Sequence, residues 1–257
     1  MAENIKKYGL DYRDEFNMTP LLAAIKSGAY KVTDFLLEQG AQLDVTDNLG
    51  LSPFLMALQQ AHTNDKFLKS RLPGLYSKLQ PDSVKVKVDN HLVKISARSA
   101  EFFLLHNFIV TYTMIVMNKK DLEDRGFSMD NVEDICKKFP DTILPAYRKK
   151  RQYLNSILSK NEIERDDPYN KKLFLRIYRG VYVLNPELEI LVAEDQWMNV
   201  YDMMYTEKMT VERNATIKSE NLERLRRKWK EEQEKRRAQE EAEHKRRMEE
   251  WQRRWRW

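Results

Sequence analysis

The chain has 257 residues, of which 42% are hydrophobic and 33% charged. That is enough for one large or two small folded domains, with a remainder too charged to join a core. Its single cysteine, Cys136, excludes an intramolecular disulfide framework and favours a reducing compartment. The N-terminus has no apolar signal-peptide core, and the longest apolar run (102–117) contains polar residues and is short for a membrane span. We therefore expect a soluble protein of the cytoplasm, or of the nucleus if the source is eukaryotic.

Charge is distributed unevenly along the sequence. Residues 206–257 hold the whole net charge of +5, so residues 1–205 are balanced. Within that balanced part, residues 145–180 form a basic island, with ten Lys and Arg against four Asp and Glu. A local cationic cluster of this kind is typical of surfaces that meet an anionic partner.

The N-terminal region contains an internal repeat. The stretch DEFNMTPLLAAIKSG, from Asp14, recurs as DNLGLSPFLMALQQA, from Asp47, at an offset of 33 residues. Thr19-Pro20 aligns with Ser52-Pro53, and each pair predicts the start of a helix because Pro is tolerated in the first helical turn. Residues 4–72 resemble ankyrin repeats in this register and in the LLEQGAQLDVTD stretch between the two copies. The resemblance implies stacked helical hairpins that bind a protein partner.

The repeat array is incomplete at both ends. The second copy loses its glycine and its LLxxGA element after Ala61, and IKKYGLDYRDE looks like the end of an earlier, partial repeat. Two repeats and a fragment are fewer than a stable stack usually needs. We expect either that residues from 75 onward cover the stack or that the natural chain begins earlier.

Residues 83–205 are predicted to form a second domain. VKVKVDNHLVKI (84–95) alternates Val with Lys and predicts a hairpin that turns at Asp89-Asn90. A buried helix is expected after it, up to residue 117, and Ser128 is expected to cap a helix that turns Val132, Cys136 and their neighbours inwards. Further helices are predicted over residues 145–160, with Tyr147 and Leu154 facing the core, and over residues 187–205.

Residues 173–184, LFLRIYRGVYVL, predict a two-stranded ribbon that turns at Gly180. The stretch resembles the wing signature F-x-R-x-x-R-G-x-Y-x-L of HARE-type winged helices, and the likeness extends over residues 98–185. It implies that the helix at 145–160 enters the major groove of DNA while the ribbon contacts phosphates. The DNA-binding residues so predicted are Arg148, Lys149, Arg151, Gln152, Asn155, Ser159, Lys171, Lys172, Arg176 and Arg179.

The C-terminal segment, 206–257, is predicted to be a long charged helix. Glu precedes Lys or Arg by four residues eight times from Glu220 onward, and each such pair stabilises a helix by about 0.2 to 0.5 kcal/mol. The last seven residues, WQRRWRW, favour a partner anchor, a membrane-surface contact or stacking on nucleic acid, or they are a frayed end.

No catalytic, cofactor or metal site is predicted. The four histidines are far apart in sequence, and there is no glycine-rich phosphate loop. We expect a mainly α protein with a small β component, made of an ankyrin segment (1–75), a hairpin with a winged-helix-like domain (83–205) and a charged extension (206–257). The leading hypothesis is a non-enzymatic interaction protein that acts at DNA. The alternative is an adaptor or assembly protein that binds only proteins.

Overall fold

The computed structural model describes residues 7–117, 126–193 and 195–204, Ile5, and seven positions from Glu223 to Arg246. Of residues 115–117 and Ala193 only the backbone is described. The chain divides into two compact units, Met1–Met209 and Thr210–Trp257. The seven positions in the second unit are helical. The rest of the predicted charged helix, including WQRRWRW, lies outside the described residues.

The first unit begins with short helices that form hairpins. Thr19 and Ser52 are the N-caps of two of them, and each side-chain hydroxyl accepts a hydrogen bond from the amide three residues further on. The predicted helix starts at Thr19-Pro20 and Ser52-Pro53 are therefore confirmed. The helices are α1 (Pro20–Lys26), α2 (Tyr30–Glu38), α3 (Pro53–Thr63), α4 (Asp65–Ser70) and α5 (Leu72–Leu79).

A four-stranded antiparallel sheet follows. Strands β1 (Ser83–Val88) and β2 (His91–Ser96) form the predicted hairpin, which turns at Asp89-Asn90 with both residues at positive φ. A second hairpin, β6 (Glu189–Ala193) and β7 (Gln196–Asn199), adds β6 to the free edge of β1, and the helix α9 (Val200–Met203) ends the segment. The strand order is β2-β1-β6-β7.

The second hairpin corrects the helix predicted over residues 187–205. Ile190 and Val192 alternate inwards, and Asp195 takes a positive φ at the turn, which suits a tight strand connection. The segment is apolar enough for either structure. Pairing with the open edge of β1 decides in favour of strands, and that edge comes from a region about 100 residues earlier in the chain.

Between the two hairpins, the described residues form three α-helices and a three-stranded sheet. Most described side chains of helix α6 (Ala100–Met117) are buried. Ser128 is the N-cap of helix α7 (Met129–Lys138), as predicted, and it forms a capping box. The ribbon predicted at 173–184 is confirmed as an antiparallel pair, and its second strand also pairs with a short strand before α7, in the order β3-β5-β4. The elements are α6 (Ala100–Met117), β3 (Phe127–Ser128), α7 (Met129–Lys138), α8 (Arg151–Lys160), β4 (Phe174–Tyr178) and β5 (Val181–Leu184).

The single helix predicted over 145–160 is wrong in its first part. Residues Ala146–Lys149 form a 3-10 turn, Lys150 is extended, and α8 starts at Arg151. Lys149 holds this turn away from the helix axis because its ammonium donates to the carbonyl of Phe139 and to Asp141. Tyr147 is consequently 54% exposed and does not face the core, whereas Leu154 and Leu158 are buried as expected.

The repeat helices share a core with the elements that follow. Phe54 of α3 contacts the rings of Phe102 and His106 on α6, and His62 donates from Nε2 to the carboxamide oxygen of Asn107 at 2.8 Å. Residues beyond 75 thus cover one end of the repeat helices. No helix in the described parts of the chain is both long and apolar enough to cross a bilayer. The described residues form a mainly α fold with small antiparallel sheets.

Candidate functional site

The candidate site consists of α8, the 3-10 turn before it and the β4–β5 ribbon. Leu154 and Leu158 anchor α8 in the core, which leaves Arg151, Gln152 and Asn155 exposed on the opposite side. Ser159 is half-buried and its hydroxyl donates to the carbonyl of Ser156. The free amides of the exposed side provide donors and acceptors that can contact a base edge.

The ribbon presents arginines at its outer strand and its turn. Arg176 is exposed on β4 opposite Tyr182, and Arg179 is exposed beside Gly180, whose φ of 75° closes the turn. Glycine suits this position because a side chain would be strained at positive φ. Each arginine offers a planar set of donors, the geometry that suits phosphate oxygens.

The end of α8 is joined directly to the ribbon. The amide of Phe174 donates to the carbonyl of Asn161 at 3.0 Å, and the amide of Ile163 donates back to the carbonyl of Phe174 at 2.9 Å. The side-chain oxygen of buried Glu162 accepts from the amide of Arg176 at 3.4 Å. The helix and the ribbon are therefore joined by backbone hydrogen bonds, which set the positions from which their polar side chains extend.

Three of the ten predicted site residues have structural partners. Arg148 donates to the carbonyl of Arg98, and Lys149 is held by Phe139 and Asp141. Lys171 bonds Glu101 at 2.7 Å, where the carboxylate side chain is only 15% exposed. Burial is the largest single effect on Glu101 and would raise its pKa. The hydrogen bonds from Lys171, from its own backbone and from Asn161, with the positive charge of Lys171, together outweigh burial, so the pKa is lowered.

Two further site residues are paired but exposed. Arg151 bonds Asp130 and Glu133 of α7, and Lys172 lies 3.3 Å from Asp89 in the β1–β2 turn. Exposed pairs of this kind contribute about 0 to 1 kcal/mol, so either cation can exchange its carboxylate for a phosphate at small cost. Gln152, Asn155, Arg176 and Arg179 complete the exposed set.

Two exposed cations next to the site, Lys150 and Lys160, are not among the predicted DNA-binding residues. Lys150 lies just before α8 and Lys160 ends it, and both side chains are exposed. Both lysines belong to the basic island. They were omitted because, in a single helix over 145–160, they would not lie on the predicted polar face. With the extended residue at Lys150, the two ammonium groups lie at the two ends of α8.

The buried reactive side chains are structural. Burial raises the pKa of the Cys136 thiol to about 12, which keeps it protonated and weakly nucleophilic. Burial lowers the pKa of His106 to about 4, and its Nδ1 donates to the carbonyl of Phe102. Over the described residues, no group of three or more His, Cys, Asp or Glu has a metal-binding arrangement.

Comparison of this chain with protein-family models, with curated proteins and with solved structures finds no match in any of the three.

Proposed function

We propose that this chain is a non-enzymatic interaction protein that binds duplex DNA through α8 and the β4–β5 ribbon, and a protein partner through its repeat helices. One observation carries the DNA proposal. Gln152 and Asn155 are exposed on α8, Arg179 is exposed at the ribbon turn, and backbone hydrogen bonds join α8 to the ribbon. Amides of this kind read base edges, while arginines neutralise phosphates.

The order of elements supports the proposal. A helix, a short strand, two helices and a two-stranded ribbon follow one another, and the short strand pairs with the second ribbon strand. This is the order expected of a winged helix-turn-helix, in which the last helix before the ribbon enters the major groove. Here that helix is α8.

The repeat helices are proposed to bind a protein. Phe16, at the tip of the first repeat turn, is 67% exposed, and Arg13 joins this turn to the next by donating to the carbonyl of Thr46 at 2.8 Å. Adjacent turns therefore present a continuous rim with an exposed aromatic ring. Exposed aromatic side chains are enriched where proteins bind proteins.

A first experiment tests the DNA proposal. A fluorescently labelled mixed-sequence duplex is titrated at low salt, where phosphate contacts are strongest, with the full chain, Arg179→Ala and the control Lys66→Ala. Lys66 is exposed on α4, away from the candidate site. We expect binding by the parent chain and the control, and weaker binding by Arg179→Ala. Absence of binding by the parent chain at low salt would eliminate the proposal.

The second candidate function, a protein adaptor, is favoured by the acidic residues of α7. Asp130 and Glu133 pair with Arg151 and so place carboxylates beside the polar side of α8. Carboxylates repel phosphate but are ordinary at a protein interface. If the duplex titration gives no binding, this candidate replaces the DNA proposal.

A further inference from the structure

The outward face of the four-stranded sheet carries a cluster of cations. Its opposite face is the buried one, with Val86, Ile95 and Ile190 among its side chains. Side chains alternate along strands, so the intervening residues point to solvent. Lys85 on β1 and Lys94 on β2 are directly opposite each other in the register, and both are exposed.

This lysine pair is unfavourable for the isolated fold. Directly opposed residues have Cβ atoms about 4.5 to 5.5 Å apart, and like charges there are destabilising. No ion pair among the described residues involves Lys85 or Lys94. The carboxylate of Glu189 lies 3.8 Å from the ammonium of Lys87, the next outward residue of β1. Glu189 is therefore already paired with Lys87. An anionic ligand would relieve the repulsion between Lys85 and Lys94.

The same face carries apolar and aromatic surface. The ammonium of Lys87 lies 4.2 Å from the ring centroid of Trp197, which is half-exposed and pairs with Leu191 across β6 and β7. Leu92, opposite Lys87, is 62% exposed. Lys94 lies on the edge strand β2 and Lys85 on the inner strand β1. The indole lies on the opposite edge strand β7, about 14 Å from β2 and about 10 Å from β1, or three and two strand spacings.

We propose that this face binds single-stranded nucleic acid, with Lys85 and Lys94 on its phosphates and an unpaired base stacked on Trp197. The base displaces the Lys87 ammonium from the ring, and Lys87 remains paired with Glu189. The combination of a cationic row with an aromatic ring suits a single strand because only unpaired bases expose a face for stacking. A duplex would use the lysines but not the ring. The inference is independent of the DNA proposal for α8 and the ribbon, since no residue is shared.

The decisive variant is Lys94→Glu. A glutamate there pairs with Lys85 across the strands, so the melting temperature should be equal to or above that of the parent. Binding of labelled oligo(dT) and oligo(U) of about 15 nucleotides should instead weaken at least tenfold, and the salt slope should fall by about 0.7 per lost phosphate contact. Trp197→Ala should weaken the same binding by about tenfold, from the loss of one stacked base.

Two matched controls separate this face from other surfaces. Lys66→Glu makes the same charge change on exposed α4 and should leave oligonucleotide binding within twofold of the parent. Asn155→Ala alters α8 and should also leave it unchanged. The proposal is overturned if the parent chain binds neither oligonucleotide at low salt, or if Lys94→Glu binds as the parent does. It is equally overturned if Asn155→Ala and Arg179→Ala weaken binding while Lys94→Glu does not, since the strand would then lie on α8 and the ribbon. None of these outcomes depends on whether a duplex binds.

Discussion

Asp14 and Asp47, which are 33 residues apart, make the same hydrogen bonds in successive turns of the repeat region. In each, the side-chain Oδ1 accepts from the backbone amides two and four residues further on, at 2.8 to 2.9 Å. The backbone amide of each aspartate also donates to the carbonyl four residues on, at 3.1 and 3.2 Å. The sequence repeat is therefore also a repeat of local structure, in which one carboxylate shapes the turn before each Pro-started helix.

Replacement of these aspartates should destabilise the fold unequally. Asp47 is 7% exposed, so Asp47→Ala leaves two amides without an acceptor in a dry site, and we expect a loss of about 2 to 3 kcal/mol in unfolding free energy. Asp14 is exposed and water can replace its carboxylate, so Asp14→Ala should cost about 1 kcal/mol or less. Urea unfolding measures both. Asp47→Asn keeps the acceptor oxygen and should lose least at that position; equal losses for the two alanine variants would contradict the argument.

The glycine of the second turn should be sensitive for a different reason. Gly50 has φ +75°, and a Cβ there would meet the side chains of Val192 at 3.1 Å and Met198 at 3.2 Å. Gly40 has a similar φ of +82° but nothing within 4 Å. Gly40→Ala therefore measures backbone strain alone, about 1 to 2 kcal/mol, and Gly50→Ala should cost about 1 kcal/mol more. Thermal or urea unfolding of both variants tests this difference. Indistinguishable losses would show that the β6–β7 hairpin yields without cost.

Acidification should destabilise the contact between the repeat helices and α6. Burial lowers the pKa of His106 to about 4, and burial also lowers that of His62, against a raising effect from Asn107. The unfolded imidazole has a pKa near 6.5, so the unfolded state binds more protons between about pH 6.5 and 4. The contribution of neutral His106 to the unfolding free energy is therefore fully present above pH 6.5. It is lost as the pH falls to 4, and the loss from His106 alone is about 3 kcal/mol.

Urea unfolding at pH 7, 5.5 and 4.5 measures this loss. His106→Gln removes one titrating group and should reduce the dependence on pH, while NMR titration of the parent chain reports the imidazole pKa even if that variant fails to fold. An NMR pKa of 6 or above for His106 would contradict the argument.

Local signals allowed correct prediction of several elements. Thr19 and Ser128 specify helix starts because their hydroxyls accept hydrogen bonds from the first helical turn. Asp89-Asn90 and Gly180 specify turns because these residue types tolerate positive φ. Each of these determinants lies within a few residues of the feature that it sets. A helix start or a turn can be predicted from sequence alone where the residues that cause it lie within a few positions of it.

Long-range contacts explain what was missed. The β6–β7 hairpin exists because β1 offers a free edge, and the break at Lys150 depends on the bond from Lys149 to the carbonyl of Phe139. The bond between Lys171 and Glu101 joins residues 70 positions apart. Composition identified a basic island correctly, but only the fold distinguishes cations that hold it together from cations that remain exposed.

That distinction yields the last prediction, which contrasts Lys171→Ala with Arg179→Ala. Lys171→Ala removes the cation that pairs with Glu101, whose side chain is only 15% exposed, so the unfolding free energy should fall by about 2 kcal/mol. The folded protein should bind duplex DNA as the parent does. Arg179 is exposed at the ribbon turn, so Arg179→Ala should keep its stability, weaken binding to every duplex and reduce the salt slope by about 0.9.

Asn155→Ala should give a third pattern because it removes a base-edge contact. Its binding free energy should fall by about 1 to 3 kcal/mol on a preferred duplex and hardly at all on a scrambled one. Anisotropy titrations on both duplexes at two salt concentrations, with urea unfolding of each variant, separate the three patterns. If Lys171→Ala weakens DNA binding while Arg179→Ala and Asn155→Ala bind as the parent does, DNA must lie on a surface other than α8 and the ribbon. The division between structural and binding cations would then be incorrect.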